Sequence, residues 1–231
     1  MNLFYQPGIS EGINYLDAEE SRHAIRVLRM SEGDQLTLTD GKGFFYSAKI
    51  TKADSKRCQF EILDKKETPR RSFHIHIAIA PTKNADRIEW FVEKATEIGV
   101  DEISFINCKN SERKVINLER VEKIAVSALK QSQQALLPKL NELVPFKKIL
   151  EAKADQKFIG FVDSANPLHL KALARLNKKY LILIGPEGDF SKEELDLAIQ
   201  NGFEKVSLGT NRLRTETAGL AAVQVLALAN V

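Results

Sequence analysis

The chain has 231 residues, of which 43% are hydrophobic and 28% charged, and a net charge of +3. That balance describes an ordinary globular protein, long enough to bury its own core without cross-links. Two distant cysteines, Cys58 and Cys108, exclude a disulfide framework and leave no zinc-ligand spacing; no apolar run reaches the roughly 20 residues that cross a bilayer. The first residues lack the basic-then-apolar order of a signal peptide, so a cytoplasmic protein with no membrane contact and no metal is expected.

Along the first 70 residues the pattern is mostly strand. Asp34–Thr39 and Gln59–Leu63 alternate apolar and polar residues, the period of a half-buried strand. Asp40-Gly41-Lys42-Gly43 is a turn cluster leading into the aromatic run Phe44–Ile50. One helix is expected over Ala18–Met30, where Arg22, Arg26 and Arg29 share a face at i, i+4 and i+7 and Ile25 and Leu28 anchor the other. Lys65–Ser72 is polar, contains Pro69, and reads as a linker, giving two domains, 1–70 and 71–231.

After the linker, strand and helix alternate. Phe73–Ala80 is a strand with Phe73, Ile75, Ile77 and Ile79 on one face, and Asp86–Ile98 is an amphipathic helix with Gly99 as its C-terminal cap. Further strands are expected at Ile103–Ile106, Phe158–Val162, Tyr180–Ile184 and Lys205–Leu208. Helices fall between them at Glu119–Gln134, Pro167–Leu176 and Ser191–Asn201. This alternation predicts an α/β domain with a mainly parallel sheet covered on both faces. Between Ile103 and Leu150 nine Lys/Arg face four acids; such an excess attracts polyanions or merely marks solvated helix faces. The last helix, Thr215–Ala229, has Gln224 as its only polar interior position, so it is buried on every side, either by an internal cover or by a second subunit in a homodimer.

Two loops carry the candidate chemistry. The first is Leu181–Glu194, where a buried strand ends in Gly185-Pro186-Glu187-Gly188 and a helix opens behind the capping box of Ser191 and Glu194. Glycines at 185 and 188 allow unusual φ angles and close approach of a ligand to the backbone, at the strand ends where open α/β sheets bind ligands. No GxGxxG and no GxxxxGK[ST] occurs, which disfavours a dinucleotide or ATP site. The second loop, Leu208–Ala218, runs from Gly209 to a helix for which Thr215 is a good N-cap. Arg214 and Glu216 are a charge pair at the edge of an apolar interior. Spacing alone fits either a ligand site or simple punctuation with an ion pair.

Together, Gly185-Pro-Glu-Gly-Asp-Phe-Ser-Lys-Glu-Glu and Leu208-Gly-…-Leu213-Arg-Thr-Glu-Thr-Ala resemble the signatures of ribosomal RNA uridine-N3 methyltransferases of the RsmE type. His23–Met30 with Gly33-Asp34, Glu97-Ile-Gly-Val, Ser111-Glu112-Arg113 and Gln131-Ser132 extend the likeness over the whole chain. The resemblance implies a PUA-like β-barrel followed by a knotted SPOUT α/β domain, whose trefoil gathers the loops after Val162, Ile184 and Leu208. It further implies that S-adenosylmethionine is held there, largely by backbone, at Val162, Ile184, Gly185, Glu187, Gly188, Leu208, Gly209, Leu213, Thr215 and Ala218.

The reaction so implied moves a methyl group to N3 of a uridine in 16S ribosomal RNA, the small ribosomal subunit being the partner. Arg214 is the candidate to stabilise charge on the uracil oxygens, and Glu216 the candidate to take the N3 proton or to orient Arg214. Arg22, Arg26, Arg29, Lys83, Arg87 and Arg113, with Lys114, are the candidates for gripping RNA phosphates; Gln131 is a candidate neighbour of the cofactor loops. Asp189 stands where the family usually has a second glycine, Asn211-Arg212 where it has an arginine–aliphatic pair, and Gln134 where many members have arginine. Another SPOUT reaction on transfer RNA, or an assembly factor without catalysis, are the alternatives.

Overall fold

The computed structural model describes residues 2–161 and 168–231. It divides the chain into two compact units: residues 1–70 with 126–137, and residues 71–125 with 138–231. The spacing places 126–137 in the second domain; in the structure they pack with the first.

In the first unit, strands β1 (Leu3–Tyr5), β2 (Gln35–Thr39), β3 (Phe44–Lys52) and β4 (Gln59–Glu67) form one sheet in that order. β1 runs parallel to β2, and the remaining pairs are antiparallel. The chain at Asn14–Leu16 bonds to the start of β4, with Phe60 N–H donating to Asn14 O and Leu16 N–H to Cys58 O, both at 2.9 Å. The inward residues Phe4, Leu36, Leu38, Tyr46, Ala48, Ile50 and Phe60 make the core. At the turn after β2, Gly41 (φ 73°) takes the left-handed form, and Lys42 N–H donates to the buried Asp40 at 2.8 Å. Residues 126–137 are tied in through Gly43 N–H to Ala135 O at 2.8 Å and the ion pair of Lys130 with buried Glu20. β4 outlasts its alternating stretch and takes in Lys65–Glu67, the start of the expected linker.

The helix expected over Ala18–Met30 is shorter and is not one regular α-helix. α1 (Ala18–Arg22), capped by the Asp17 carboxylate on Glu20 N–H, passes into a π-helical turn at His23–Val27, and Arg29 (φ 57°) is already left-handed. Wider turns change the angular step per residue, so the shared arginine face that a 3.6-residue period gives is not formed over all three positions.

The second unit is a six-stranded, wholly parallel sheet in the order β10-β8-β9-β5-β6-β7. Its strands are β5 (His74–Ile79), β6 (Glu102–Asn107), β7 (Lys139–Pro145), β8 (Gln156–Gly160), β9 (Lys179–Ile184) and β10 (Glu204–Val206). β5 lies inside the sheet and is buried from Ile75 to Ile79 on both faces. That explains its nearly continuous apolar run.

On the face of Ile79 lie α2 (Ala85–Ile98) and α7 (Thr215–Ala229). Gly219 lets α7 approach: a Cβ there would stand 2.7 Å from Phe91 and 2.9 Å from Ile79. The opposite face, with Ala78, Leu181 and Leu183, packs on Phe146 and Ile149 of the short α4 (Phe146–Ile149) and on Leu195 and Ala198 of α6 (Lys192–Gln200). The Ser191–Glu194 capping box is formed, and Gly99 (φ 98°) ends α2.

α3 (Leu118–Gln131) ends three residues short of the expected Gln134. α5 covers only Leu170–Leu173 of the expected Pro167–Leu176, whose first residue lies outside the described ones. Sequence patterning misses β1, which is three residues long, and β7, where a register shift between Ser104 and Phe105 of its neighbour breaks the alternation. No helix among the described residues is long and apolar enough to cross a membrane.

Candidate cofactor cleft and its surroundings

Because all six strands are parallel, their carboxyl ends share one edge, and β8, β9 and β10 are neighbours there. The segments leaving these three strands line a cleft of about 430 Å³. From β8 come Gly160 and Phe161; from β9, Ile184–Glu187 and Asp189; and from β10, Val206 through Thr215 together with Ala218 of α7. This is the placement that strand-end binding requires and that the knotted topology implies.

The walls are fixed from behind. Asp189 N–H bonds to Pro186 O at 2.9 Å, closing a turn, and Asn110 Nδ2 donates to both Gly188 O and Asp189 O at 3.1 Å. Lys109 N–H donates to Glu194 at 2.8 Å, so the loop after β6 braces both the turn and α6. Glu187 accepts the Lys83 N–H at 3.0 Å, and Arg113 grips the carbonyls of Thr82 and Lys83 at 2.7–3.2 Å. The Thr215 hydroxyl donates to Gly185 O at 3.0 Å and so joins the β9 turn to α7.

Of the expected cofactor residues, Ile184, Gly185, Glu187, Leu208, Gly209, Leu213, Thr215 and Ala218 line the cleft, while Val162 lies outside the described residues. Gly188 does not line it: its Cα backs onto Asn110. Gly185 and Gly188 have ordinary φ angles as well. The residues with positive φ are Asp189 (64°) and Gly209 (149°). At Gly185 a Cβ would stand 3.1 Å from the Phe190 ring, a tight contact.

Thr215 is not the N-cap of α7. Arg214 holds that position with φ −71° and ψ 157° and offers no side-chain cap. Its guanidinium is exposed on the cleft and makes no hydrogen bond or ion pair among the described residues.

Glu216 is not paired with Arg214 and does not line the cleft. It is buried against α2, with Oε1 3.9 Å from Arg87 Nε and Oε2 without a hydrogen-bond partner. Beside the strand end expected at Val162, Gly160 and Phe161 of the β8 side are not among the expected cofactor residues, and neither is the brace Asn110. The strand-end rule signals the first; nothing in the pattern signals the second.

Much of the local basic excess is paired with acids of the same chain, mostly at the surface. Lys109 pairs with Glu193, Arg120 with Glu89, Lys123 with Glu119, Lys130 with Glu20 and Lys139 with Glu102. Of the arginines and lysines expected on RNA, Lys83 pairs with Glu112 at 2.8 Å, Arg87 leans on Glu216, and Arg113 is spent on carbonyls. Arg22, Arg26, Arg29 and Lys114 are exposed and make no ion pair among the described residues. Gln131 is exposed at the end of α3, and Gln134 Nε2 donates to Ser132 Oγ at 2.9 Å. Among the described residues no group of three or more His, Cys, Asp or Glu is placed to hold a metal ion.

Residues 69–227 match the family model described as RNA methyltransferase domain, and residues 16–63 match RNA methyltransferase PUA domain. The parallel sheet with its strand-end cleft, joined to a PUA domain, thus defines an RNA methyltransferase of the SPOUT fold. Within that class the chain belongs to the ribosomal RNA small subunit methyltransferase E family. It is 31% identical to the protein of that name from Buchnera aphidicola, over 92% of this chain and 87% of that one. Two solved structures are similar throughout. One is a probable rRNA-methyltransferase from Porphyromonas gingivalis (45% identity, TM-score 0.92, 97% and 96% of the two chains). The other is the small subunit methyltransferase E from Neisseria gonorrhoeae bound to S-adenosyl methionine (28% identity, TM-score 0.84, 96% and 95%).

Proposed function

We propose that this protein uses S-adenosylmethionine to methylate N3 of a uridine in small-subunit ribosomal RNA. The observation that carries the proposal is an exposed Arg214, without a hydrogen bond or ion pair among the described residues, on the rim of a cleft built where β8, β9 and β10 end. The cleft fits a nucleoside cofactor. Its volume is at the small end of the range for small-molecule sites, Leu208, Leu213 and Ala218 give it apolar surface, and Glu187 Oε2 is a buried acceptor still lacking a donor. When bound, S-adenosylmethionine supplies an electrophilic methyl group on a positively charged sulfur.

The chain's own residues do the rest. Uracil N3 attacks well only once its proton is gone, and the resulting charge spreads onto the ring oxygens. The guanidinium of Arg214, whose backbone is fixed as the α7 N-cap, stabilises that charge. Thr215, bonded to Gly185 O, fixes the distance between the cofactor wall and Arg214, which is what alignment of the reacting atoms needs. Glu216, facing away from the cleft, serves as a positioning residue that holds Arg87 and the first turn of α7 together. Arg22, Arg26, Arg29 and Lys114, exposed and without an ion pair among the described residues, are available to RNA phosphates; Lys83 is exposed and exchanges its Glu112 partner at little cost. A homodimer through α7 and a cytoplasmic site of action complete the proposal.

Nucleoside mass spectrometry of 16S ribosomal RNA from a deletion strain tests the assignment. One 3-methyluridine should vanish and return with the wild-type gene; an unchanged level refutes it.

A further inference from the structure

The two loops that form the main walls of the cleft carry opposite charge. Glu187 and Asp189 belong to the β9 turn, Arg212 and Arg214 to the β10–α7 loop. The two arginines are exposed to solvent, but the carboxylates are poorly compensated. Glu187 spends Oε1 on the Lys83 N–H and leaves Oε2 buried without a donor among the described residues. Asp189 accepts its own neighbour's Phe190 N–H at 2.8 Å, and burial pushes its carboxyl above the usual range despite that bond and the nearby Arg212. No cation comes within 4.0 Å of either carboxylate among the described residues. Arg212 instead directs Nη2 to the Glu187 carbonyl at 3.5 Å.

Asp189 also holds a left-handed φ of 64°, which suits glycine best and Asp or Asn next best. The double bond from Asn110 fixes its backbone there. A carboxylate is thus kept on the cleft wall at a conformational cost, and without an ion pair among the described residues.

We infer that Asp189 and Glu187 form a charge-selective wall, which makes the cleft bind a sulfonium nucleoside more tightly than the neutral thioether left after transfer. This rests on the proposed cofactor. When N3 forms its bond to the methyl carbon, the S–CH₃ bond breaks with its electron pair staying on sulfur, and the N3 proton goes to solvent. The positive charge facing the wall disappears, so the wall loses its attraction for the product and favours its release.

Calorimetry of the intact protein with S-adenosylmethionine, S-adenosylhomocysteine and a cationic aza analogue, in which a methylated nitrogen replaces sulfur, tests this. The wild type should bind both cations more tightly than the thioether by roughly fivefold, the size of one charge pair several ångströms apart in a partly solvated site. Asp189→Asn keeps the left-handed turn and the acceptor for Phe190 N–H; it and Glu187→Gln should each shrink that ratio by about twofold, and the double variant should bring it near one, by weakening the cations alone. Acidifying through the Asp189 pKa should shrink the wild-type ratio more than that of Asp189→Asn, in which Glu187 alone still carries charge. Equal binding of cation and thioether by the wild type, or an unchanged ratio in both variants, overturns the inference while leaving the cofactor proposal standing. Binding of none of the three overturns both.

Discussion

Arg214 stands where α7 begins, with its side chain free and its backbone held by the helix it starts. The nearby Thr215–Gly185 bond, not the guanidinium, joins the cofactor walls. Arg214→Ala should therefore lower kcat by about 10²–10³, the usual loss when one oxyanion-stabilising donor is removed. Its Kd for S-adenosylmethionine should stay within a few-fold of wild type, and parallel losses in single-turnover rate and calorimetric affinity would show that Arg214 is structural instead.

Within the sheet, on β5, His76 is buried. Its Nε2 lies 2.8 Å from Ser104 Oγ, and Asn141 bridges Ser104 and Glu102. Burial, opposed by Glu102, pulls the His76 pKa from 6.5 down to about 4. The unfolded chain therefore binds this proton more readily than the folded one, and stability falls as pH drops from 6.5 towards 4. Glu102 works in the same direction. Burial raises its pKa, but His76, Asn141 and Lys139 more than offset this, and the net value is lowered. His76 alone should cost roughly 2 kcal/mol between pH 7 and pH 5. Urea unfolding at both pH values checks it: His76→Gln should remove most of that pH dependence, and an undiminished dependence would place the effect elsewhere.

Among the elements, α7 shows how far pattern reading goes. Its limits and its apolar character follow directly from the residues, because fifteen positions without a proline or a basic side chain form a helix. What spacing could not supply is the reason for Gly219, which in an ordinary helix costs about 1 kcal/mol against Ala. Here Phe91 and Ile79 occupy the space a Cβ would need. Gly219→Ala should accordingly destabilise by about 1–3 kcal/mol instead of stabilising, the usual penalty for overpacking. A shift in the urea midpoint to higher concentration would contradict this. The same reliance on three-dimensional neighbours explains the misplaced N-cap, since the Thr215 hydroxyl is drawn to Gly185 O and never turns back to its own helix. It also explains the arginine stripe of the first unit. The i, i+4, i+7 rule assumes a 3.6-residue turn, and the π-turn at His23–Val27 breaks that assumption. The capping box of α6 and the glycine cap of α2 were legible because both are local, with every participant within four residues.

For the molecule as a whole, the order of strands decides what the sequence can show. Eight of the expected cofactor residues meet in one cleft because β8, β9 and β10 are adjacent, and only the family resemblance supplied that adjacency; periodicity gives strands without their neighbours. The quaternary state is argued from α7. Its inner stripe of Thr215, Glu216, Gly219, Ala222, Val223 and Leu226 is buried within the chain. The other side presents Leu220, Ala221 and Val225, all partly exposed, and Leu228, which is 61% exposed. An apolar helix face left half open to water in one chain is the kind of surface that a two-fold partner covers with its own copy. The wild-type protein should therefore run as a dimer in light scattering at micromolar concentration. Val225→Asp combined with Leu228→Asp should give a folded monomer with an unchanged circular dichroism spectrum, since neither side chain belongs to the internal core. A monomeric wild type would sink the dimer proposal, and a double variant that stays dimeric would move the interface to another surface of the chain.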